Sequence, residues 1–110
     1  MKFLTMKFGG TSVRDVTRLK AVADIILSEL GSNRKIIVVV SAMSDKTNKL
    51  IELAKELGLE GTIDPEYDAL VSTGEDVSAS LLALALKNIG VRARSWRGWQ
   101  IPINTDSFFS

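Results

Sequence analysis

The sequence has 110 residues, 45% hydrophobic and 25% charged, the balance of one ordinary globular domain rather than of a disordered or fibrous chain. Lys and Arg number 14 against 13 Asp and Glu, so the net charge of +1 leaves no footprint for nucleic acid or an anionic membrane surface. With no cysteine and no histidine, these residues cannot build disulfides, thiol nucleophiles, histidine-based triads or imidazole metal sites; chemistry here rests on carboxylates, lysine, hydroxyls and backbone amides.

No apolar run approaches the roughly 18 residues of a membrane span. Met1 to Lys7 is too short and too quickly charged for a secretory signal, so a cytoplasmic chain is expected. Leu4 to Phe8 is an apolar-rich run stopped by Gly9-Gly10, the pattern of a strand ending in a sharp turn. Val13, Val16, Leu19, Val22, Ala23, Ile26 and Leu30 then recur every three or four residues and predict an amphipathic helix. Ser12, with Asp15 three residues on, resembles its cap, and Gly31 with Ser32-Asn33 stops it. Ile36 to Val40 is an unbroken β-branched run, expected to be a parallel strand buried on both faces.

A polar turn, Ser41 to Asp45, leads to a helix with Leu50, Leu53, Ala54 and Leu57 on one face, closed at Gly58. After a loop from Gly61, Asp64-Pro65-Glu66 reads as a helix start, and Ser72-Thr73-Gly74-Glu75 is expected to interrupt that helix. Val77 to Leu86 is apolar nearly all round, which predicts full burial. Asn88-Ile89-Gly90 ends the helix, and Val91 to Trp96 reads as a third strand. This order predicts an α/β fold with a mostly parallel sheet flanked by helices. Beyond Trp96 no period is clear, and Phe108-Phe109-Ser110 closes nothing, so the sheet is expected to be incomplete. Its exposed edges and apolar faces favour a homo-oligomer. Met43, Trp96 and Trp99 read as packing residues, and Lys87, Arg92, Arg94 and Arg97 as a solvated rim.

Three places could carry chemistry. In Lys7-Phe8-Gly9-Gly10-Thr11-Ser12, two glycines let backbone amides approach an anion, the helix start adds partial positive charge, and Lys7 adds a full one. The spacing is neither the P-loop nor Gly-x-Gly-x-x-Gly, and a plain tight turn with a surface lysine is the alternative. Ser41 follows a parallel strand and Thr47 lies six residues on, so their hydroxyls could face one crevice; equally, Ser41 could satisfy turn amides and Thr47 cap its helix. Gly74 costs about 1 kcal/mol in a helix relative to Ala, which asks for a packing or binding reason. Glu75, expected to be partly enclosed, needs a partner: a ligand ammonium, or a Lys or Arg of the chain.

Together these blocks resemble one family. Lys7-Phe8-Gly9-Gly10-Thr11-Ser12-Val13 is similar to the opening signature of the aspartate kinases, members of the amino acid kinase superfamily. Val38-Val39-Val40-Ser41-Ala42-Met43 with Thr47-Asn48 resembles their second block, Ser72-Thr73-Gly74-Glu75 their third, and Ser95 to Gln100 the stretch that follows. The resemblance implies an αβα sandwich in which ATP phosphorylates the side-chain carboxylate of L-aspartate to 4-phospho-L-aspartate, the first step toward lysine, threonine and methionine. It implies that Lys7 neutralises the phosphates, with Phe8, Gly9, Gly10, Thr11 and Ser12 around them. It gives Ser41 and Thr47 the aspartate carboxylate oxygens and Glu75 the ammonium. On this reading residues 1–110 form the N-terminal part of the catalytic domain and would be inactive alone. The nucleotide-binding lobe, the Mg2+ ligands and the ACT regulatory domains lie elsewhere, and no metal ligand falls within these residues. The alternatives are another amino acid kinase, or a non-catalytic binding module on the same scaffold.

Overall fold

In a computed structural model, residues 2–31, 34–58 and 64–96 are described. Ser32-Asn33, the loop residues Gly61 to Ile63, and everything from Arg97 onward, including Trp99 and Gly98 to Asn104, lie outside them. The order is β1 (Lys2–Phe8), α1 (Val16–Leu30), β2 (Arg34–Val40), α2 (Ser44–Glu56) and α3 (Pro65–Asn88). β1 and β2 pair in parallel, Lys2 opposite Arg34 through to Phe8 opposite Val40, so a two-stranded sheet flanked by helices carries the expected α/β fold, incomplete as anticipated.

Helix α1 starts later than its hydrophobic period suggests. Asp15 is the cap, its carboxylate accepting from the Arg18 amide at 2.8 Å, while Ser12 instead donates its own amide to the Gly9 carbonyl in the preceding turn. Val13, wholly buried, therefore anchors the turn rather than the helix, and Val16 is left 60% exposed. Leu19, Val22, Ala23 and Ile26 form the buried stripe. They meet Leu82 and Leu86 of α3, with Met6, Phe8, Ile36, Val38 and Val40 of the sheet packed against them. The other sheet face, with Phe3, Thr5, Lys7, Lys35, Ile37 and Val39, is exposed. β2 is thus covered on one face only among the described residues, not on both as its composition suggests. Its β-branched run encodes strand propensity, and the tertiary partners decide which side is covered.

Asp64 caps α3 by accepting from the Glu66 amide at 2.7 Å, with Pro65 in the first turn as expected. The expected break at Ser72 to Glu75 does not occur. The Ser72 and Thr73 hydroxyls donate to the carbonyls of Ala69 and Leu70, at 3.0 and 2.7 Å, so the polar residues are satisfied within an unbroken 24-residue helix. Nor is α3 buried all round: Gly74, Ser78, Leu82 and Leu86 make the buried stripe, whereas Leu84 is 62% exposed. By length and composition alone α3 could cross a membrane, contrary to the expectation from apolar runs. Its core-facing stripe and the Glu75-Asp76 pair near its middle are the marks of a core helix, since each acid would cost roughly 2.5–3.5 kcal/mol at a bilayer centre.

Residues 91–96 form no strand. The Val91 amide closes the helix end on the Leu86 carbonyl, and a cavity of about 470 Å3, walled by Ile36, Val38, Leu86 and Val91, opens between this segment and β2. Trp96, expected to pack in the core or at an interface between copies, is half exposed in the single chain, with the Arg94 guanidinium 4.3 Å above its ring. Because both long helices start on a side-chain cap, Asp15→Ala and Asp64→Ala should each lower unfolding free energy by about 1 kcal/mol in denaturant titrations, with Asn largely restoring either.

Candidate functional site

Two parallel strands of equal register release their following turns at the same end of the sheet, where ligands of α/β proteins gather. The Ser41 amide extends the ladder one step by donating to the Phe8 carbonyl at 3.0 Å, so Gly9-Gly10 and Ser41-Ala42 leave side by side. A Cβ on Gly10 would lie 2.8 Å from the Ala42 carbonyl oxygen, closer than such atoms tolerate, and 3.4 Å from the Ser44 amide. On the far side, a Cβ on Gly74 would lie 2.8 Å from the Ala42 Cβ and 3.9 Å from a Leu50 methyl. Ala42 is buried, and through it the first turn, the second turn and the middle of α3 meet. Nothing in the sequence's chemistry singles out Ala42. The available signal is its small size between two glycine-bearing blocks.

The expected site residues lie on the elements that adjoin this contact. Lys7 is exposed on the outer sheet face, opposite Val39, the last outward side chain of β1 before Phe8 packs inward. Gly9 has open space within 4 Å of where a side chain would start, so its backbone is bare, whereas Gly10 is consumed by packing. Thr11 is exposed and Ser12 half-buried. The helix start expected to serve this cradle sits beyond it, at Val16, and the Asp15 carboxylate already occupies its Arg18 amide. The positive end of α1 is thereby answered within the chain.

The helix of Thr47 begins at Ser44 with Met43 as a cap that makes no side-chain hydrogen bond, so Thr47, half-buried in the first turn, is not its cap. No hydrogen bond engages the hydroxyls of Ser41 and Thr47 among the described residues. Glu75 is exposed rather than enclosed: the buried stripe runs through Gly74 and Ser78, and one residue's rotation turns Glu75 out of the core. It has no ion pair among the described residues, so the expected in-chain Lys or Arg partner is absent there. Lys7 is likewise unlinked to Ser41, Thr47 or Glu75, and the two main cavities, of about 470 and 510 Å3, are lined by none of these residues. The described residues offer no cluster of acids able to hold a metal ion.

The division of labour between the two glycines is testable by denaturant unfolding. Gly10→Ala should cost about 1–3 kcal/mol through overpacking against backbone. Gly9→Ala, with room for a methyl and no positive φ, should leave stability unchanged or raised by up to ~1 kcal/mol.

The model of the amino acid kinase family matches residues 2–107. An aspartokinase of Rickettsia felis is 47% identical over 109 residues, covering 97% of this chain and 27% of that protein. An aspartate kinase of Stutzerimonas stutzeri is 48% identical over 107 residues, again 97% of this chain, and 26% of its own length. The crystal structure of an aspartate kinase from Synechocystis superposes with a TM-score of 0.74 at 42% identity, over 82% of this chain and 15% of that one. The chain spans about a quarter of the length of these curated relatives, and within that span, in fold and in the order of its blocks, it belongs to the amino acid kinase family.

Proposed function

We propose that this chain supplies the substrate-holding and phosphate-neutralising part of an aspartate kinase, which transfers the γ-phosphoryl group of ATP to the side-chain carboxylate of L-aspartate. One carboxylate oxygen forms a bond to the γ-phosphorus as the bond to the β,γ-bridging oxygen breaks, giving 4-phospho-L-aspartate and ADP. The reading is supported chiefly by the close approach of Gly10 and Gly74 to Ala42, which brings the segments bearing Gly9, Ser41 and Glu75 to one end of the sheet, and by the Ser41 and Thr47 hydroxyls and the Glu75 carboxylate having no partner among the described residues. The names of the relatives, aspartokinase and aspartate kinase, support it independently.

The chemistry suits these residue types. An aspartate side chain free in water loses its proton near pH ~3.9 and is already the carboxylate at neutral pH, so no proton need be removed from the nucleophile. The barrier is then the approach of an anion to a triphosphate and the alignment of the two, which are matters of charge and position. In this reading the Lys7 ammonium offsets charge on the phosphoryl oxygens being transferred, with the Gly9 and Gly10 amides beside it. Ser41 and Thr47 donate to aspartate carboxylate oxygens, and Glu75 pairs with its ammonium. The described residues do not provide an acidic set for Mg2+, so none is given that role and no step is drawn through the metal. Production of 4-phospho-L-aspartate belongs to amino-acid biosynthesis, and we place it toward lysine, threonine and methionine in the cytoplasm, where ATP is supplied. The partners in this reading are the two small substrates and, through the open sheet face, further copies of the chain, with no nucleic acid and no membrane.

Two substitutions in the complete polypeptide carrying these residues separate the two roles, with the acyl phosphate trapped as a hydroxamate. Lys7→Ala should lower kcat by about a hundredfold or more while the KM for aspartate holds. Glu75→Gln should raise the KM for aspartate by about tenfold, the worth of one charged hydrogen bond, with the KM for ATP unchanged. Near-normal turnover in the first, or equal effects on both substrates in the second, rejects the assigned roles.

A further inference from the structure

The contact at Ala42 has a geometry that packing alone does not require. Two glycines from different parts of the chain press the same alanine, one against its carbonyl oxygen and the other against its methyl, each with a would-be Cβ distance of 2.8 Å. The residues attached to these three points are Gly9 and Thr11 on the first turn, Ser41 on the second, and Glu75 on α3. The α3 side is fixed further by Ser78. Its side chain is wholly buried, and its hydroxyl donates to the Gly74 carbonyl at 3.3 Å, so the turn of helix bearing Gly74 and Glu75 carries an extra internal tie. The Ala42 methyl is thus the atom that the Gly74 turn of α3 meets, and the Ala42 carbonyl the one that the Gly10 turn meets.

Building on the proposed aspartate kinase reading, we infer that Ala42 is a positioning residue: with its carbonyl against Gly10 and its one methyl against Gly74, it fixes the separation between the phosphate-facing turn and the groups that grip the amino acid. Adding a methyl at Gly74 makes two carbon atoms compete for a space built for one, and α3 with Glu75 moves outward. Removing the methyl at Ala42 leaves the same space under-filled, and Glu75 loses its fixed distance. Either displacement separates the carboxylate nucleophile from the phosphoryl group it must meet, and misplacement by about an ångström costs on the order of a hundredfold in rate.

The test is a methyl exchange in the complete polypeptide: Ala42→Gly, Gly74→Ala and the double variant Ala42→Gly/Gly74→Ala, assayed well below their unfolding midpoints. Each single variant should lose about tenfold or more in kcat/KM for aspartate, a modest share of the ångström-scale penalty, while the KM for ATP stays within about twofold. The double variant, which restores one methyl to the gap from the other side, should recover most of that loss. If the single variants lower only the unfolding midpoint and leave kcat and the KM for aspartate intact, or if the double variant is additive in its losses, the positioning role is overturned. A wild-type protein that forms no hydroxamate with aspartate and ATP contradicts the underlying reading instead, and is a separate result.

Discussion

The candidate site depends on close approach of backbone at one point. Ala42 can touch both Gly10 and Gly74 because neither carries a side chain, and a β-carbon on either would fall at 2.8 Å from an alanine atom. Local preference opposes this arrangement at Gly74, where alanine would favour the helix by about 1 kcal/mol. Long-range packing wins over that preference, and the Ser72 and Thr73 hydroxyls are satisfied by carbonyls of the preceding turn, so the helix runs through its polar stretch unbroken. What the molecule gains is the convergence of segments far apart in the chain, from Gly10 to Gly74, at the end of a two-stranded sheet.

That convergence matters because the proposed reaction makes few demands on proton chemistry and heavy demands on charge and distance. A chain without histidine can serve a nucleophile that is already ionised. It must still bring that nucleophile to a triphosphate, and the groups able to do so are those left uncommitted by the fold. The α1 dipole is not among them, since Asp15 answers it locally. The burden of charge on this side of the site falls to Lys7, which stands on the outer face of β1 instead of on a helix.

Much of this was legible in the sequence wherever one local rule governed. The β-branched run of β2, the Asp64-Pro65-Glu66 start of α3 and the three-four spacing of α1 each encode their element directly. The failures share a cause: they turn on what packs against what. The composition of Ile37 and Val39 reads as doubly buried, but burial is conferred by neighbours, and among the described residues only one face of β2 has them. Ser72 to Glu75 reads as a break because propensity is summed along the chain, whereas the glycine answers to the distant Ala42. Val91 to Trp96 has strand composition without a hydrogen-bonded ladder. For the site, residue types and order pointed to Lys7, Ser41, Thr47 and Glu75. Ala42, which meets Gly10 and Gly74, has no chemistry to announce it.

The central claim is that the groups gathered around Ala42 form one ligand site with two sides. Amide chemical-shift mapping tests it most directly, with isotope-labelled protein titrated separately with L-aspartate and with ATP. Aspartate should move the resonances of Ser41, Thr47 and Glu75, ATP should move those of Gly9 to Ser12, and Ala42 should respond to both. Shifts clustered instead along the groove between α1 and α3, around Lys20 and Asn88, with Ala42 silent, would contradict it.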